Sequence, residues 1–353
     1  MKILLLGGTG AMGIHLIKLL SKDGVELVVT SRKNRPPVGR TRFIKGNAHD
    51  VEFLRGILSE GWDVIIDFMI YTTPIFEERI NTLLIATNQY VFLSSARVYA
   101  DSQQPMLETG ARLLDTSEDK EFLSTDEYSL SKARQEDILM KSEYKNWTIV
   151  RPYITYSEKR LQLSVLEKEE WLYRALKGRS ILVPEKVMAK LTTLTYGFNV
   201  AEGIAALIRS PVNTLGESFH ITHKKSITWN EVLLVYSEVL EAHMGRKPKI
   251  LLQRLDKFFE FKPAKYQMIY DRLYDRQFET GKIDQFIDSA AFIHAKVGLE
   301  ACLRDFLSSP EFNEINWASE AIKDKQAREF TPLREISGIK QKLRYLIYRF
   351  IKN

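Results

Sequence analysis

The chain has 353 residues, of which 44% are hydrophobic and 27% charged, a composition typical of a globular protein rather than a disordered or fibrous one. Its single cysteine, Cys302, excludes an intramolecular disulfide and a multi-cysteine zinc site. The sequence also has no apolar run long enough to span a membrane. Both features favour a location in the cytoplasm. The net charge of +6 suits an anionic ligand, but 45 acidic residues are interspersed with 51 basic ones, so nucleic-acid binding is not expected.

The first 150 residues alternate short, branched apolar runs with segments of helical periodicity. We predict strands over residues 2–6, 26–31, 42–45, 63–68, 90–94 and 147–151, and helices over residues 12–21, 51–59, 75–87 and 125–145. Continuous apolar runs are typical of strands buried on both faces. The pattern therefore predicts an α/β fold, a doubly wound parallel sheet of the Rossmann type.

The pattern loosens after residue 151. We predict a mainly helical stretch over 153–180, a strand-and-helix unit over 191–209, a strand over 217–221 and a largely helical chain from about 242 onward. Thr228 and Glu231 have capping-box spacing, which predicts a helix that begins at Trp229. We expect three parts: a nucleotide domain of residues 1–152 plus about 190–212, a smaller mixed, mainly helical C-terminal domain of 153–189 plus 213–333, and a basic amphipathic segment of 334–353.

Glycines follow the first predicted strand directly. The run Gly7-Gly8-Thr9-Gly10-Ala11-Met12-Gly13 lies between that strand and a helix, the context in which a glycine pattern indicates dinucleotide binding. Such glycines permit a sharp turn, let backbone N–H groups approach a pyrophosphate, and let the helix pack close to the sheet. A plain glycine-rich turn is the structural alternative.

The end of the second predicted strand is basic. Thr30-Ser31-Arg32-Lys33 stands where an acid would bind the ribose hydroxyls of NAD, and residues 27–49 contain six basic residues and no acidic one. A 2′-phosphate would find charge-assisted partners there. We expect NADP(H) in preference to NAD(H), with Ser31 and Arg32 as the leading contacts; a solvated basic loop is the alternative interpretation.

Two side chains with acid/base potential lie one helical turn apart. Tyr128 and Lys132 share a helix face, and a nearby ammonium favours the phenolate form of a tyrosine, which is otherwise a poor base near its pKa of ~10. Ser94-Ser95 follows the fifth predicted strand, at the sheet edge where ligands bind in such folds. A serine there can hydrogen-bond a substrate oxygen while Tyr128 exchanges its proton.

These motifs together resemble the extended short-chain dehydrogenase/reductase family of nucleotide-sugar epimerases, dehydratases and reductases. Residues 7–13, Ser95 with Val98-Tyr99, Tyr128 with Lys132, and Arg151-Pro152 have its order and spacing, and the likeness covers about residues 1–235. The resemblance implies that Tyr128 is the catalytic acid/base, that Lys132 assists it and holds the nicotinamide ribose, and that Ser95 orients the reacting oxygen. The implied activity is an NAD(P)-dependent epimerase or reductase that acts on a nucleotide-activated sugar by hydride transfer.

The resemblance also implies the remaining cofactor contacts and a homodimer. The predicted cofactor-binding residues lie in the glycine-rich run, at the end of the second strand, in a segment expected to border the adenine (Asn47 and Ala48, here called the adenine segment) and after the fourth strand, and they include the catalytic pair. They are Gly7, Thr9, Gly10, Ala11, Met12, Gly13, Ser31, Arg32, Asn47, Ala48, Phe68, Met69, Tyr128 and Lys132. The family pairs its subunits through helices that correspond to residues 75–87 and 125–145.

The sequence departs from the family at several places. Asn47 replaces the usual acid of the adenine segment, Met69-Ile70 stands where small residues follow the fourth strand, and Ala100 and Ile154 replace a glycine and an asparagine. These departures predict an atypical substrate pocket. Ala96 and Arg97 occupy positions where a dehydratase would carry an acid, which disfavours dehydration.

The same motifs leave one alternative function, and the histidines bear on metal binding. A non-catalytic dinucleotide-binding sensor or scaffold of the same fold is the alternative to an enzyme, although it would have no need of Ser95, Tyr128 and Lys132 together. The six histidines show no spacing typical of a metal site, so no metal is predicted.

The last residues form a basic amphipathic segment. Residues 338–353 carry five basic side chains and no acidic one, and their apolar residues recur at roughly helical spacing. The segment could lie on a membrane surface as a peripheral contact. The alternative is a helix that docks on its own domain or on a partner subunit.

Overall fold

The structure is a computed structural model that describes residues 1–351. The strands are β1 (Lys2–Leu6), β2 (Glu26–Ser31), β3 (Thr41–Lys45), β4 (Trp62–Asp67), β5 (Thr87–Leu93), β6 (Trp147–Pro152), β7 (Ile154–Tyr156), β8 (Ile181–Pro184), β9 (Leu191–Thr192), β10 (Leu194–Tyr196), β11 (Glu217–Ile221), β12 (Ile227–Thr228) and β13 (Ile250–Gln253). The α-helices are α1 (Gly13–Leu20), α2 (Val51–Leu58), α3 (Thr73–Ile85), α4 (Leu113–Thr116), α5 (Lys120–Leu123), α6 (Tyr128–Lys141), α7 (Lys168–Leu176), α8 (Gly197–Ile208), α9 (Trp229–Met244), α10 (Leu255–Phe261), α11 (Lys265–Gln267), α12 (Ala295–Ser308), α13 (Trp317–Ala327) and α14 (Ile339–Leu346). Residues Met268–Arg272 and Ile347–Ile351 are π-helical.

Seven parallel strands form the central sheet in the order β11-β6-β5-β4-β1-β2-β3. The winding reverses between β1 and β4, so the connections that follow these two strands leave in opposite directions. In open sheets of this kind a crevice forms at that point, at the carboxyl ends of the strands. The sheet confirms the predicted doubly wound α/β fold.

Alternate residues of each central strand supply the two halves of the core. In β1, Ile3 and Leu5 face one side of the sheet with the apolar residues of α1 and α8, and Leu4 and Leu6 face the other with those of α2 and α3. Because both faces of the sheet are covered, β1 is apolar and buried from Ile3 to Leu6, as predicted for a strand inside a parallel sheet.

The chain divides into two compact units. Unit 1 comprises residues 1–157, 193–226 and 277–295 and contains the whole central sheet; unit 2 comprises residues 158–192, 227–276 and 296–353. In unit 2 a parallel pair, β8 with β13, accompanies helices that include α7, α9, α10, α13 and α14. Within residues 1–351 no helix is both long and apolar enough to cross a bilayer.

An ion network lies inside unit 2. The buried Arg174 guanidinium donates at 2.8 Å to carboxylate oxygens of both Glu320 and Asp324, and at 3.0 Å to Glu329. Asp324 also accepts a hydrogen bond from the Tyr345 hydroxyl, at 2.6 Å. Because a buried cation is stable only when its donors are satisfied, these contacts hold α7, α13 and α14 together.

The predicted secondary structure agrees best with the structure for the strands of the central sheet, whose apolar pattern follows from burial on two faces. All six strands predicted in the first 151 residues are present within three residues at each end, and Thr228 and Glu231 form the predicted capping box before α9. The mainly helical prediction for 153–180 is wrong in its first half. There the short β7 and an irregular stretch precede α7, because buried apolar residues such as Leu161 and Leu163 are fixed by tertiary packing and not by helical periodicity.

Candidate functional site

The glycine-rich run forms a tight turn between β1 and α1. Gly7 has a φ of +69°, which favours glycine, and its carbonyl accepts a hydrogen bond from the Thr9 N–H at 2.8 Å. The Gly7 N–H donates to the Thr30 hydroxyl at 3.0 Å. The turn is therefore joined by a hydrogen bond to the end of β2, the strand that ends at Ser31 and is followed by Arg32.

Two other glycines define the shape of this turn. A Cβ on Gly13 would lie 2.3 Å from the Gly8 carbonyl oxygen, so only glycine permits this approach of α1 to the turn. A Cβ on Gly10 would have no heavy atom within 4 Å among the described residues. No side chain caps the amino-terminal end of α1 at Met12 in the described chain. The open space at Gly10 and this helix end, with its N–H groups, fit a pyrophosphate.

The end of β2 carries positive charge toward the adenine segment. Ser31 is buried, and its hydroxyl accepts a hydrogen bond from the Lys33 N–H at 3.2 Å, while Arg32 is exposed. The pKa of His49 is lowered by burial first, and then by the charges of Arg79 and Arg32. Arg32 therefore lies within electrostatic range of the adenine segment.

The adenine segment is ordered by its own hydrogen bonds. The Asn47 side-chain oxygen accepts from the His49 N–H at 3.2 Å, and Ala48 is buried. Asp50 caps α2 by accepting from the Phe53 N–H at 2.8 Å. The Asp50 carboxylate thus has a helix-capping role.

Met69 packs against the glycine turn, because its Sδ would lie 2.7 Å from a Cβ on Gly7. Its N–H donates to the buried Asp67 carboxylate at 2.9 Å, and Asp67 also accepts from the hydroxyls of Tyr71 at 3.1 Å and Tyr90 at 2.8 Å. Burial raises the pKa of Asp67 despite these donors. Asp67 orders the residues that follow β4, among them the half-buried Phe68, and sequence reasoning missed this role.

The two serines after β5 have different partners. The Ser94 hydroxyl donates to Glu136 Oε1 at 2.5 Å, so its proton is already used in a hydrogen bond within the protein. Ser95 Oγ accepts from the Arg97 N–H at 3.2 Å, at the start of the short 3₁₀ turn Ala96–Val98. The Ser95 hydroxyl therefore remains chemically able to donate to a ligand oxygen.

Tyr128 is the first residue of α6 and is half-buried. The Arg97 guanidinium carbon lies 5.1 Å from the centre of its ring, within cation–π range. Arg97 also donates to Glu127 Oε1 at 2.6 Å, and Glu127 caps α6 by accepting from the Ser129 N–H at 2.7 Å. The strand end that carries Ser95 and the start of α6 that carries Tyr128 are thus joined.

Lys132 lies one turn further along α6 and is buried. Its Nζ donates to the Leu93 carbonyl at 2.7 Å, at the carboxyl end of β5, and lies 4.4 Å from the centre of the Phe92 ring. Burial lowers the pKa of the Lys132 ammonium to about 8, opposed by the charges of Asp67 and Glu136. Lys132 therefore places a positive charge directly beneath the strand end that carries Ser95.

The buried Lys132 ammonium is expected to make stability depend on alkaline pH. Its ordinary pKa of 10.5 in the unfolded chain falls to about 8 on folding, so the unfolded state binds more protons between these values. The stability of the protein relative to a Lys132→Met variant should therefore rise from pH 8 to about 10.5 and stay level below pH 8. Urea denaturation of both proteins across this range measures the difference. Lys141→Met, at an exposed position of α6, is the control, and a difference that falls with rising pH would contradict the expectation.

Behind these residues lies a buried polar network that sequence reasoning missed. Glu136 accepts two hydrogen bonds from the Arg151 guanidinium, both at 2.8 Å, and Arg151 also donates to the Tyr99 hydroxyl. The Tyr99 hydroxyl lies 2.5 Å from His220 Nε2 on β11, and burial lowers the pKa of His220 to about 3. Arg151 of the Arg-Pro motif therefore joins β6 to α6 and to the segment after β5.

No group of three or more potential metal ligands occurs among residues 1–351. The residues at the carboxyl ends of β1, β2, β4 and β5 instead line one edge of the sheet, which is the arrangement of a dinucleotide cleft. The cleft residues fit the cofactor that their motifs imply: a turn open at Gly10, a helix end facing it, and a basic strand end beside it.

Comparisons with known proteins agree with this geometry. Residues 3–221 match the model of the NAD dependent epimerase/dehydratase family. A curated relative, the chloroplast stem-loop binding protein of 41 kDa b of Arabidopsis thaliana, is 27% identical over 259 residues. The matched region covers 65% of this chain and 60% of that protein, so this chain spans under two thirds of the relative's length.

Solved structures share the fold. An epimerase from Methanothermobacter thermautotrophicus superposes with a TM-score of 0.68 at 17% identity and covers 87% of this chain and 92% of its own. The UDP-glucuronic acid 4-epimerase of Bacillus cereus, in complex with UDP-glucuronic acid and NAD, has a TM-score of 0.65 at 16% identity and covers 87% of this chain and 99% of its own. At these identities the likeness confirms the fold.

Proposed function

The chain belongs to the NAD dependent epimerase/dehydratase family, and from that premise we propose that it is an NAD(P)-dependent epimerase or reductase acting on a nucleotide-activated sugar. Tyr128 is the acid/base in this proposal, and Ser95 and Lys132 assist it. The observation that carries the proposal is the hydrogen bond from Lys132 to the Leu93 carbonyl, because it fixes the cation of α6 at the strand end that leads into Ser95.

The residues divide the chemistry between them. NAD(P), when bound, supplies the hydride acceptor and donor. Tyr128 takes the proton from the sugar hydroxyl as that carbon is oxidised and returns a proton when it is reduced. The cations assigned to assist it are Lys132, which lies one helical turn further along α6 and is held at the Leu93 carbonyl, and Arg97, whose guanidinium carbon lies 5.1 Å from the centre of the Tyr128 ring. Ser95 donates to the reacting oxygen and holds it against Tyr128.

Arg97 supports a substrate pocket of unusual charge. Its guanidinium carbon lies 5.1 Å from the centre of the Tyr128 ring and its Nη2 donates to Glu127 at 2.6 Å, so the phenol ring lies beside an ion pair. A dehydratase would need an acid at this position or the preceding one, and the chain has neither. This arrangement supports epimerisation or reduction over dehydration.

A panel of UDP-, GDP- and dTDP-sugars tests the proposed function. Purified protein is incubated with each sugar and with reduced or oxidised cofactor, while absorbance follows reduced nicotinamide and NMR follows product stereochemistry. An altered sugar without net cofactor consumption identifies an epimerase, and stoichiometric consumption of NADPH or NADH identifies a reductase. Absence of any product across the panel would contradict the proposal.

Arg32 is proposed to select NADP(H), and its loss should weaken NADPH binding specifically. Charge-assisted hydrogen bonds to a phosphate are strong, so Arg32→Ala should raise the Kd for NADPH about tenfold or more and change the Kd for NADH little. Fluorescence titration of both cofactors measures this. Arg35→Ala, an exposed cation three residues further along, is the control. Equal losses for NADPH and NADH would assign Arg32 no role at a 2′-phosphate.

The proposed homodimer involves α3 and α6, which pack against each other within unit 1. Ile85 at the end of α3 and Met140 near the end of α6 are exposed apolar residues on these helices. The mass of the particle in solution tests this arrangement.

A second candidate function is a dinucleotide-binding protein without turnover that binds RNA. The specific observation in its favour is the similarity to a chloroplast stem-loop binding protein. Binding of a labelled stem-loop RNA, measured at several salt concentrations, tests it. Salt-sensitive binding combined with an inactive sugar panel would favour this candidate, and turnover of any sugar would favour the enzyme.

A further inference from the structure

The C-terminal helix presents an apolar stripe to solvent. Helix α14 and the π-helical turn that follows it carry five exposed large apolar side chains at spacings of one, three or four residues: Ile339 (77% exposed), Leu343 (55%), Ile347 (43%), Phe350 (64%) and Ile351 (76%). Such spacing places residues on one helix face. Scattered exposed apolar residues are ordinary on protein surfaces, whereas a contiguous stripe indicates an interaction site.

The opposite face of the helix is already fastened to unit 2. Tyr345 is fully buried; its hydroxyl donates to Asp324 at 2.6 Å and accepts from the Thr331 N–H at 2.9 Å. Arg349 donates to the Glu329 carbonyl at 3.1 Å. The contacts of Tyr345 and Arg349 therefore hold the helix by the face opposite its apolar stripe.

Cations flank the stripe. Residues 339–351 contain four basic side chains, Lys340, Lys342, Arg344 and Arg349, and no acidic one. Lys340 and Arg344 are exposed and stand next to Ile339 and Leu343, while the Arg349 guanidinium lies 5.2 Å from the centre of the Phe350 ring. Within residues 339–351 the exposed apolar side chains thus share the helix surface with basic side chains and no acidic one; from outside this segment, Glu314 accepts a hydrogen bond from Gln341 at 3.4 Å.

We propose that residues 339–351 bind the surface of a bilayer rich in anionic lipid. The apolar stripe would enter the boundary between headgroups and acyl chains, and the cations would meet the lipid phosphates. This inference goes beyond the proposed enzymatic function and does not depend on it.

Charge complementarity favours an anionic bilayer over a second copy of the chain or an RNA. A second copy that met the same face would bring like charges from Lys340, Arg344 and their counterparts together, which disfavours a symmetric pair. An RNA would satisfy the cations but leave the aliphatic side chains of Ile339, Leu343 and Ile351 without an apolar partner. An anionic bilayer satisfies both the stripe and its cations.

Vesicle flotation of the full chain tests the proposal. The probes are vesicles of phosphatidylcholine alone and vesicles of about equal parts phosphatidylglycerol and phosphatidylcholine. One variant combines Leu343→Asn, Phe350→Asn and Ile351→Asn; a second combines Lys340→Gln and Arg344→Gln. The matched control combines Val212→Asn, Leu234→Asn and Val297→Asn, which replaces three exposed apolar residues elsewhere in the chain.

We expect the protein to float with the anionic vesicles and not with the neutral ones. The apolar variant should lose about tenfold or more of this binding, the charge variant should lose several-fold, and the control should bind as the original protein does. Far-UV circular dichroism and thermal unfolding check that the variants fold. Unchanged flotation of the apolar variant, or no flotation of the original protein, overturns the proposal. The proposal is also overturned if the original protein forms a dimer that the apolar variant abolishes, or if it binds RNA and only the charge variant abolishes that binding.

Discussion

Replacement of Tyr128 by phenylalanine should remove nearly all turnover of the sugar that the panel identifies. General acid–base groups contribute about 10²–10⁴-fold to rate, so kcat should fall by at least about a hundredfold. The ring would remain beneath the Arg97 guanidinium, because the cation–π contact requires the ring and not the hydroxyl. Steady-state kinetics measure the loss, and cofactor titration shows separately whether the Tyr128→Phe protein still binds NADPH.

Tyr144→Phe is the matched control for this prediction. Tyr144 follows α6 and is exposed, so loss of its hydroxyl should leave kcat within about twofold. A Tyr128→Phe protein that binds cofactor and turns over at the original rate would exclude Tyr128 as the acid/base. It would leave the fold and the family membership untouched, since neither depends on that hydroxyl.

Replacement of Glu136 by glutamine should strongly destabilise unit 1. Glu136 and Arg151 are both buried and share two hydrogen bonds of 2.8 Å, and Ser94 also donates to Glu136. Removing one partner leaves the Arg151 cation buried without a counter-charge, which costs about 3–5 kcal/mol. Urea denaturation, monitored by tryptophan fluorescence, should show an earlier transition, and Glu143→Gln at an exposed position should not.

A double variant separates the charge from the packing. Glu136→Met combined with Arg151→Met removes both charges and retains similar volume, so we expect it to recover much of the stability that Glu136→Gln loses. If the double variant were as unstable as the single one, the network would owe its importance to the hydrogen bond that Glu136 accepts from Ser94 and the one that Arg151 donates to Tyr99, rather than to charge balance.

Much of the fold was predictable because its signals are local. The run of glycines after β1, the branched residues of β2 and β4, and the capping box at Thr228 each report a conformation that neighbouring residues determine. The spacing of Tyr128 and Lys132 likewise follows from one turn of helix. Within unit 1, local patterns therefore predicted the strands and the helix that carries Tyr128 and Lys132.

The contacts that support the site were not predictable in this way. Glu136 meets Arg151 and Asp67 meets Tyr90 only because the sheet order brings separate strands and helices together. No spacing in the sequence relates these residues. The same reason applies to residues 153–167, whose apolar side chains are placed by packing. It also applies to Arg174, whose partner Asp324 lies 150 residues later in the sequence.

The large sequence separation between Arg174 and its partner affects folding during synthesis. Its partner Asp324 lies 150 residues later in the chain, so helix α7 leaves the ribosome long before the carboxylates that complete its surroundings. At ordinary rates of translation the interval is on the order of ten seconds. During that time we expect the Arg174 guanidinium of the nascent α7 to stay hydrated, and unit 2 can complete its native interior only after Asp324 has been synthesised.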